Sequence, residues 1–486
     1  MGAMGEKKSL KLNFVMNAAL TMSSFLFPLI SFPYVSRVLQ PEALGKVSFA
    51  TSLIEYFLMF AMLGIPTYGI RACAKVRDDR TALSRTVQEL VIINLVMGLV
   101  SYGALLLGVF LVPQLAQDRK LYLLVSLTIG FNIIGMEWLY KSLEQYAYIT
   151  LRSVLFKAVA LGCMFALVHT PEDYVLYGGI TILASSASCV FNLFHSRRFI
   201  SWRPAGGYHF IPHLKAVAVF FAMACASTVY THLDTVMLRF LTDDVTVGYY
   251  HAAVRIKSIL VSIVTSLGAV LLPRASYYVE QGKMEEFRRI THKALNFVFV
   301  AALPMMVYFI FFAREGIFLL SGEEYAGSVL PMQWIMPTLL LIGLSNVLGI
   351  QILVPLGRER VVLWSIVSGA VVDVVLNFVL IPLWGASGAA AATTVAELVV
   401  LVVQFLVLGA QARAAFAQVS YWKVLAGAAA GFAAAFWVGV LGLGSFLTLL
   451  VSAVLFFGVY AGVLLVTKER LTAELAGQLL GKIFKK

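Results

Sequence analysis

The chain has 486 residues, of which 60% are hydrophobic and only 13% are charged. A soluble domain is about 45–50% apolar and about 25% charged, so this composition excludes a soluble enzyme and predicts one polytopic membrane body. The formal net charge of +12 would suggest nucleic-acid binding in a soluble chain, but here it must first be compared with the topology of the loops.

Long apolar runs predict fourteen membrane-spanning helices, and hence an all-α polytopic fold. Each run approaches or exceeds the roughly 20 residues that a helix needs to cross the hydrocarbon core, and none shows the alternation of a barrel strand. In chain order, the predicted spans are residues 14–35, 46–66, 88–112, 120–140, 149–168, 174–194, 214–240, 249–272, 293–313, 329–354, 361–381, 386–409, 424–441 and 446–466.

Most of the 37 Lys and Arg residues fall on one side of the membrane if these spans alternate in direction. The count on that side includes Lys141, Arg152 and Lys157, taken with the connection after the fourth span. Because positively charged connections stay in the cytoplasm, we expect both termini to be cytoplasmic. Basic loops that face anionic membrane lipids account for the positive charge without nucleic acid as a partner.

Motifs for catalysis are missing from the sequence. There is no GxxxxGK(S/T) motif and no cluster with metal-ligand spacing, so we expect no cofactor and no enzymatic activity. The acidic pairs of the short outer connections are interpreted as solvated turn residues; they are Glu172 with Asp173, Asp243 with Asp244, and Glu323 with Glu324. A membrane glycosyltransferase or polymerase is the less favoured alternative, because it needs a long catalytic loop.

An internal repeat relates the two halves of the chain. The segments Arg37–Gly45 and Arg239–Gly248 both run from Arg-x-Leu through an acidic turn to Gly, and they enter the second and eighth spans. An even offset of six spans indicates parallel repeats. The sequence thus predicts two six-helix lobes, residues 1–200 and 201–415, which enclose a central cleft, and an added helix pair with a basic tail at 416–486.

Polar side chains recur on single helix faces of four spans, which are repeat-equivalent in pairs. Residues at i, i+3, i+4 and i+7 share a face, and we expect the following to line the cleft: Asn13, Asn17, Thr21, Ser24, Thr228, Ser258 and Ser262. The alternative is that these hydroxyls only join neighbouring helices.

Ionisable residues within or beside the spans are the stronger candidates, since a charge at mid-membrane costs about 2.5–3.5 kcal/mol on insertion scales. Arg255, Lys257, Arg239 and His232 are candidate ligands of an anionic substrate. Candidate coupling carboxylates are Asp234, Glu55 and Asp373. A structural role for Asp234, as the partner of a nearby arginine, stays equally open.

Several segments resemble Wzx-type oligosaccharide flippases, the polysaccharide-transporter branch of the multidrug/oligosaccharidyl-lipid/polysaccharide exporter superfamily. Phe32–Val47 and Leu63–Lys75 are similar to the opening of these proteins. Val247–Ala253, Leu272–Arg274 and the turn from Asn377 to Gly388 are similar to their second half. Arg37 and Arg71 match family positions, either as substrate ligands or as helix-end packing.

The resemblance implies a flippase that moves an undecaprenyl-pyrophosphate-linked oligosaccharide across a bacterial cytoplasmic membrane by alternating access. It leaves open whether H⁺, Na⁺ or the membrane potential drives transport. It implies membrane lipids, a polysaccharide polymerase and glycosyltransferases as partners. A lipid II flippase and a multidrug exporter of the same superfamily are the alternatives.

Overall fold

A computed structural model describes residues 10–417, 419–469 and 472–473. In these residues the chain is helical and contains no β-strand, which confirms the predicted all-α fold. It divides into two compact units, 1–236 and 237–486. The division into two six-helix lobes and an added pair, with boundaries at 200 and 415, stays a prediction.

The first unit contains the helices up to most of α11. Their bounds are α1 Leu10–Met62, α2 Ile65–Lys75, α3 Arg80–Leu111, α4 Pro113–Ala116, α5 Arg119–Val125, α6 Leu127–Gly135, α7 Glu137–Ser142, α8 Tyr146–Leu167, α9 Tyr174–Ser185, α10 Val190–Ser196 and α11 Phe210–Leu241. Short 3₁₀ helices at Pro171–Asp173 and Ala187–Cys189 precede α9 and α10.

The second unit contains the last residues of α11 and the remaining helices. Their bounds are α12 Asp244–Glu280, α13 Met284–Phe311, α14 Ala313–Ser321, α15 Val329–Ile335, α16 Thr338–Asn346, α17 Glu359–Trp384, α18 Ala386–Leu408, α19 Ala410–Ala417, α20 Tyr421–Ala435 and α21 Ser445–Val466. Glu323–Ser328 and Phe436–Leu441 are 3₁₀ helices, and Val347–Leu353 is a π-helix.

The described residues include 11 helices that are long and apolar enough to cross a membrane, or up to 13 if two bent pairs each count as one span. The chain is therefore a multi-pass membrane protein, while the count of fourteen stays a prediction. The difference lies partly in α1, a single helix of 53 residues. A straight helix of that length would measure about 80 Å, far more than the roughly 30 Å of a hydrocarbon core.

Gln40 breaks α1 where the sequence places the turn between the first two spans. Its φ is 60° and ψ is 175°, and Pro41 follows it. A proline at this point removes a backbone donor and cannot continue the preceding helix. The two predicted spans therefore correspond to two stretches of α1 on either side of this break.

The added pair α20 and α21 packs against α13 within the second unit. Leu303 of α13 shares a buried cluster with Val424 and Tyr460. The hydroxyl of Tyr460 donates to the Val300 carbonyl at 2.8 Å, and Tyr308 donates to the Leu449 carbonyl at 2.9 Å. Both rings are buried, and aromatic rings with hydrogen-bonded hydroxyls thus fix the pair against α13.

Gln88 of α3 holds the segment that leads into α11. Its side-chain amide donates to the carbonyls of Ser201 and Arg203, at 2.8 and 2.9 Å. Its side-chain oxygen accepts from the Ala205 amide at 3.1 Å and from the Tyr208 hydroxyl at 2.7 Å. All four hydrogen-bonding positions of this buried side chain are used, so we call residues 201–209 the clamped linker.

Glu89 continues this attachment onto α11 itself. Its carboxylate accepts from the backbone amide of His209 at 2.7 Å and lies 2.8 Å from Nε2 of His213. Nδ1 of His213 lies 2.8 Å from the hydroxyl of Tyr68 on α2. Only 3% of Glu89 is exposed, so the position of α11 depends on a buried polar network.

Gly64→Ala should destabilise the protein, because α11 crosses the α1–α2 turn with its backbone in contact. Gly64 has φ +75°, and an added Cβ would lie 2.5 Å from the carbonyl carbon of Phe220. We expect a cost of about 1–3 kcal/mol, measured as a lower melting temperature in detergent. Gly162→Ala in α8, where no atom lies within 4 Å, is the matched control. Equal melting temperatures for the two variants would contradict this contact.

Gln88→Ala should loosen the clamped linker. Each lost hydrogen bond is worth about 0.5–1.5 kcal/mol, so amide hydrogen exchange in residues 201–209 should become several-fold faster, as measured by mass spectrometry. The control is Gln281→Ala, which alters an exposed glutamine at the end of α12. Unchanged exchange in the linker would show that Gln88 does not hold it.

Candidate functional site

Lys157 is an ionisable residue inside a candidate membrane span of the first unit. It lies in the middle of α8, a helix of 22 residues with the length and composition of a membrane span. Its ammonium group donates to the hydroxyls of Ser23 and Ser24 on α1, at 3.0 and 2.9 Å. Both hydroxyls donate in turn to the carbonyl of Leu20. In the described part of the chain its hydrogen-bond partners are hydroxyls rather than carboxylates, and Glu137 of α7, which contacts Lys141 and Arg152, acts on it only at longer range.

Arg152, one and a half turns earlier in α8, is in a different situation. It is 8% exposed, and it donates to the Ser188 carbonyl at 3.2 Å. Its guanidinium also lies 3.7 Å from the carboxylate of Glu137, which pairs with Lys141 at 2.9 Å. These contacts join α7, α8 and the 3₁₀ helix before α10. Arg152 is therefore a structural residue with a compensated charge.

The predicted polar face of α1 is exposed around the Lys157 contact. Asn17, Thr21 and Ser24 all lie on the surface, and the Thr21 hydroxyl donates to the Asn17 carbonyl at 2.9 Å. The hydroxyl of Thr150 on α8 donates to the carbonyl of Met16 at 2.8 Å and fixes α8 against α1. The structure thus brings a cation to the face that the sequence predicts to be polar. The side chain of Asn13 lies outside the described residues.

His232 of α11 lies against the second half of α1 within the first unit. Its Nδ1 is 3.2 Å from the hydroxyl of Ser52. Thr228 and Glu55 are half-buried, and Asp234 is only 5% exposed. The structure therefore brings one predicted ligand, His232, to the polar face of the second predicted span.

Arg239 and Asp244 form an ion pair at the turn between α11 and α12. Nε of Arg239 lies 2.5 Å from a carboxylate oxygen of Asp244, and both side chains are largely buried. The interpretation of Asp244 as a solvated turn residue is thus wrong, because an arginine in the last turn of α11 covers it. The pair gives Arg239 a structural role, and a role in substrate binding stays a prediction.

The other predicted residues of the second unit lie on α12 and α17. Arg255 and Lys257 are half-buried on α12, and Asp373 is 2% exposed on α17. The hydroxyls of Ser258 and Ser262 donate to carbonyls of their own helix, at 2.8 and 2.6 Å. These two serines are therefore satisfied without a substrate.

Arg37 and Arg71 are both exposed. The guanidinium of Arg37 donates to the Pro33 carbonyl at 3.0 Å, just before the break in α1. This contact fits the interpretation of Arg37 as helix-end packing. Arg71 projects from α2 next to the buried Cys73. In the described residues, no group of three or more His, Cys, Asp or Glu side chains is placed to hold a metal ion.

Lys157 is not among the predicted site residues, because its position was assigned to a cytoplasmic connection. The signal was present, since the residue falls inside the predicted span 149–168. Its partners are 134 and 133 residues away, and no sequence period relates such positions. A search for every lysine that falls inside a predicted span would have selected Lys157.

Comparisons with known proteins agree on one kind of protein. The family model described as "Polysaccharide biosynthesis protein" matches residues 10–279, and the MatE family model matches residues 219–379. The putative O-antigen transporter of Escherichia coli (strain K12) is 23% identical, over 79% of this chain and 93% of that protein. That of Shigella dysenteriae is also 23% identical, over 79% and 94%. The solved lipid II flippase MurJ, in an inward closed conformation, has a TM-score of 0.71 at 13% identity and covers 96% of this chain and 99% of that one, which shows a shared fold.

Proposed function

The chain belongs to the polysaccharide biosynthesis protein family, and we propose that this flippase carries an undecaprenyl-pyrophosphate-linked oligosaccharide to the outer face of a bacterial cytoplasmic membrane. The cargo would serve the synthesis of a surface polysaccharide. The predicted resemblance to the polysaccharide-transporter branch is confirmed by the family match and by the named O-antigen transporters. Relatives of this kind are transporters, and the chain is not an enzyme.

The mid-span charge of Lys157 is the observation that supports an anionic cargo. The lipid tail of such a cargo stays in hydrocarbon, so only the pyrophosphate and the sugars need a polar path. An ammonium group held by two hydroxyls presents a positive charge beside the exposed polar face of α1, with hydroxyls rather than a carboxylate in direct contact. Keeping that charge in the membrane costs free energy, and a phosphate oxygen is the partner that would recover it.

An anionic cargo also fits the direction of transport. With the inside negative, moving one negative charge outward is favoured by about 2.3 kcal/mol per 100 mV. Alternating access, with both termini in the cytoplasm, is part of the proposal. The same potential acts whether or not H⁺ or Na⁺ moves in exchange, so the coupling ion stays a separate question.

Lys157→Met should impair transport in reconstituted vesicles, because it removes the charge and keeps the apolar stem. A hydrogen bond to a charged group is worth about 1.5–3 kcal/mol, so the apparent affinity for a pyrophosphate-linked oligosaccharide should fall about 10- to 100-fold. Lys157→Arg should retain most transport. The control is Lys75→Met, on the exposed surface of α2. Wild-type flipping by a well-folded Lys157→Met protein would contradict an anion-binding role.

Arg255→Ala should also lower flipping, while Lys257→Arg should have a mild effect. Arg255 has neighbours in the folded chain, so melting temperature and abundance must be measured beside transport. A cargo panel with a pyrophosphate-linked oligosaccharide, lipid II, a monophosphate and an uncharged headgroup separates the proposal from its alternatives. Equal transport of the uncharged lipid would favour a multidrug exporter, and transport of lipid II alone would favour a lipid II flippase.

A further inference from the structure

A cavity of about 610 Å³ opens in the second unit where three of its segments end. The first turns of α13 contribute Arg288, Arg289 and His292, and α19 contributes Gln411. Ile352, from the end of the π-helix, contributes an apolar wall. The volume lies within the 300–1,000 Å³ typical of small-ligand sites.

The floor of this cavity is apolar and well packed. Phe287 and Ile352 are 4% and 5% exposed, and they belong to a buried cluster with Leu353 and Leu408. The two arginines of the rim are exposed, and Arg288 pairs with Glu285 at 3.1 Å. Arg289 has no such carboxylate within the described residues, so the rim keeps a net positive charge. A ligand that fits has an anionic head and an apolar body.

The position of the cavity in the sequence selects the source of that ligand. The candidate spans Met284–Phe311 and Ala386–Leu408 each have one end at it. Residues 284–292 and 410–415 of the lining fall in or beside two connections that the charge distribution places on the cytoplasmic side, and Ile352 lies shortly before the third. Ends of spans lie at the level of the lipid headgroups, and basic pockets there suit anionic phospholipids.

We infer that this cavity binds an anionic phospholipid of the surrounding membrane, with the phosphate at Arg288 and Arg289 and the glycerol and first acyl carbons against Met284, Ala410 and Ala414. An arginine binds phosphate oxygens in a bidentate manner. In a zwitterionic lipid, the headgroup's own cation competes with the arginines for the phosphate, so an anionic lipid is favoured. The bound lipid would hold α19 against α13. This inference concerns a resident lipid and does not depend on which cargo the protein carries.

The test measures lipid binding rather than transport. The full chain in detergent is titrated with phosphatidylglycerol or phosphatidylcholine, with native mass spectrometry and melting temperature as readouts. Wild type should bind phosphatidylglycerol more tightly and be stabilised by it. The double variant Arg288→Ala with Arg289→Ala should bind it about 30-fold more weakly, at about 1 kcal/mol per arginine. Retained binding by this variant would overturn the inference.

Two further variants keep the result specific. Arg358→Ala with Arg360→Ala removes the same charge from exposed positions outside the cavity, and should leave binding unchanged. Ala414→Trp fills the cavity and keeps every charge, and should abolish the preference for phosphatidylglycerol. If the Arg358 and Arg360 variant loses binding equally, the effect is general charge attraction and the site is refuted. If glycerol phosphate alone stabilises the protein as much as the lipid does, the ligand is a soluble anion and the assignment to a lipid is wrong.

Discussion

The cost of placing a charge in hydrocarbon is the constraint that organises this protein. Arg152 meets it with Glu137 and a backbone carbonyl, and Arg239 meets it with Asp244. In both cases a carboxylate pairs with the arginine, and the pair holds neighbouring segments together. The hydrogen-bond partners of Lys157 are two hydroxyls, which use two of the three ammonium donors and carry no negative charge. On the proposed function, an anion in contact with Lys157 would recover part of the cost of its charge, and this difference distinguishes Lys157 from the two arginines.

The same constraint applies to backbone groups outside the helices. The clamped linker has carbonyls and amides that no helix satisfies, and Gln88 and Glu89 of α3 supply their partners. Polar residues at the start of an apolar span therefore supply hydrogen bonds to a neighbouring segment, and hydropathy does not reveal this role. Since His213 joins the same network, the start of α11 is attached to α3 and α2. Movement of α11 would have to break or carry this network, so it is a stiff point of the first unit.

The sequence was sufficient for the all-α fold and for most span positions, because apolar length is a local property. It predicted a turn after Leu39, and the structure has a break at Gln40 within α1. It did not distinguish a broken helix from two helices, because a proline is compatible with both. It failed at Asp244 and at Lys157 for a different reason. Both residues are defined by a partner on another helix, and hydrophobic period carries no information about such partners.

The two proposed anion sites differ in a way that follows from side-chain chemistry. A resident lipid has to stay bound, and the planar forks of Arg288 and Arg289 suit a phosphate that is held for long periods. A transported headgroup has to be released on the far side, so tight binding at mid-span would slow the carrier. An ammonium that already donates to two hydroxyls can exchange one of them for a phosphate oxygen and then return to it. On the proposed function, lysine at position 157 therefore lowers the barrier to entry without creating a trap for the cargo.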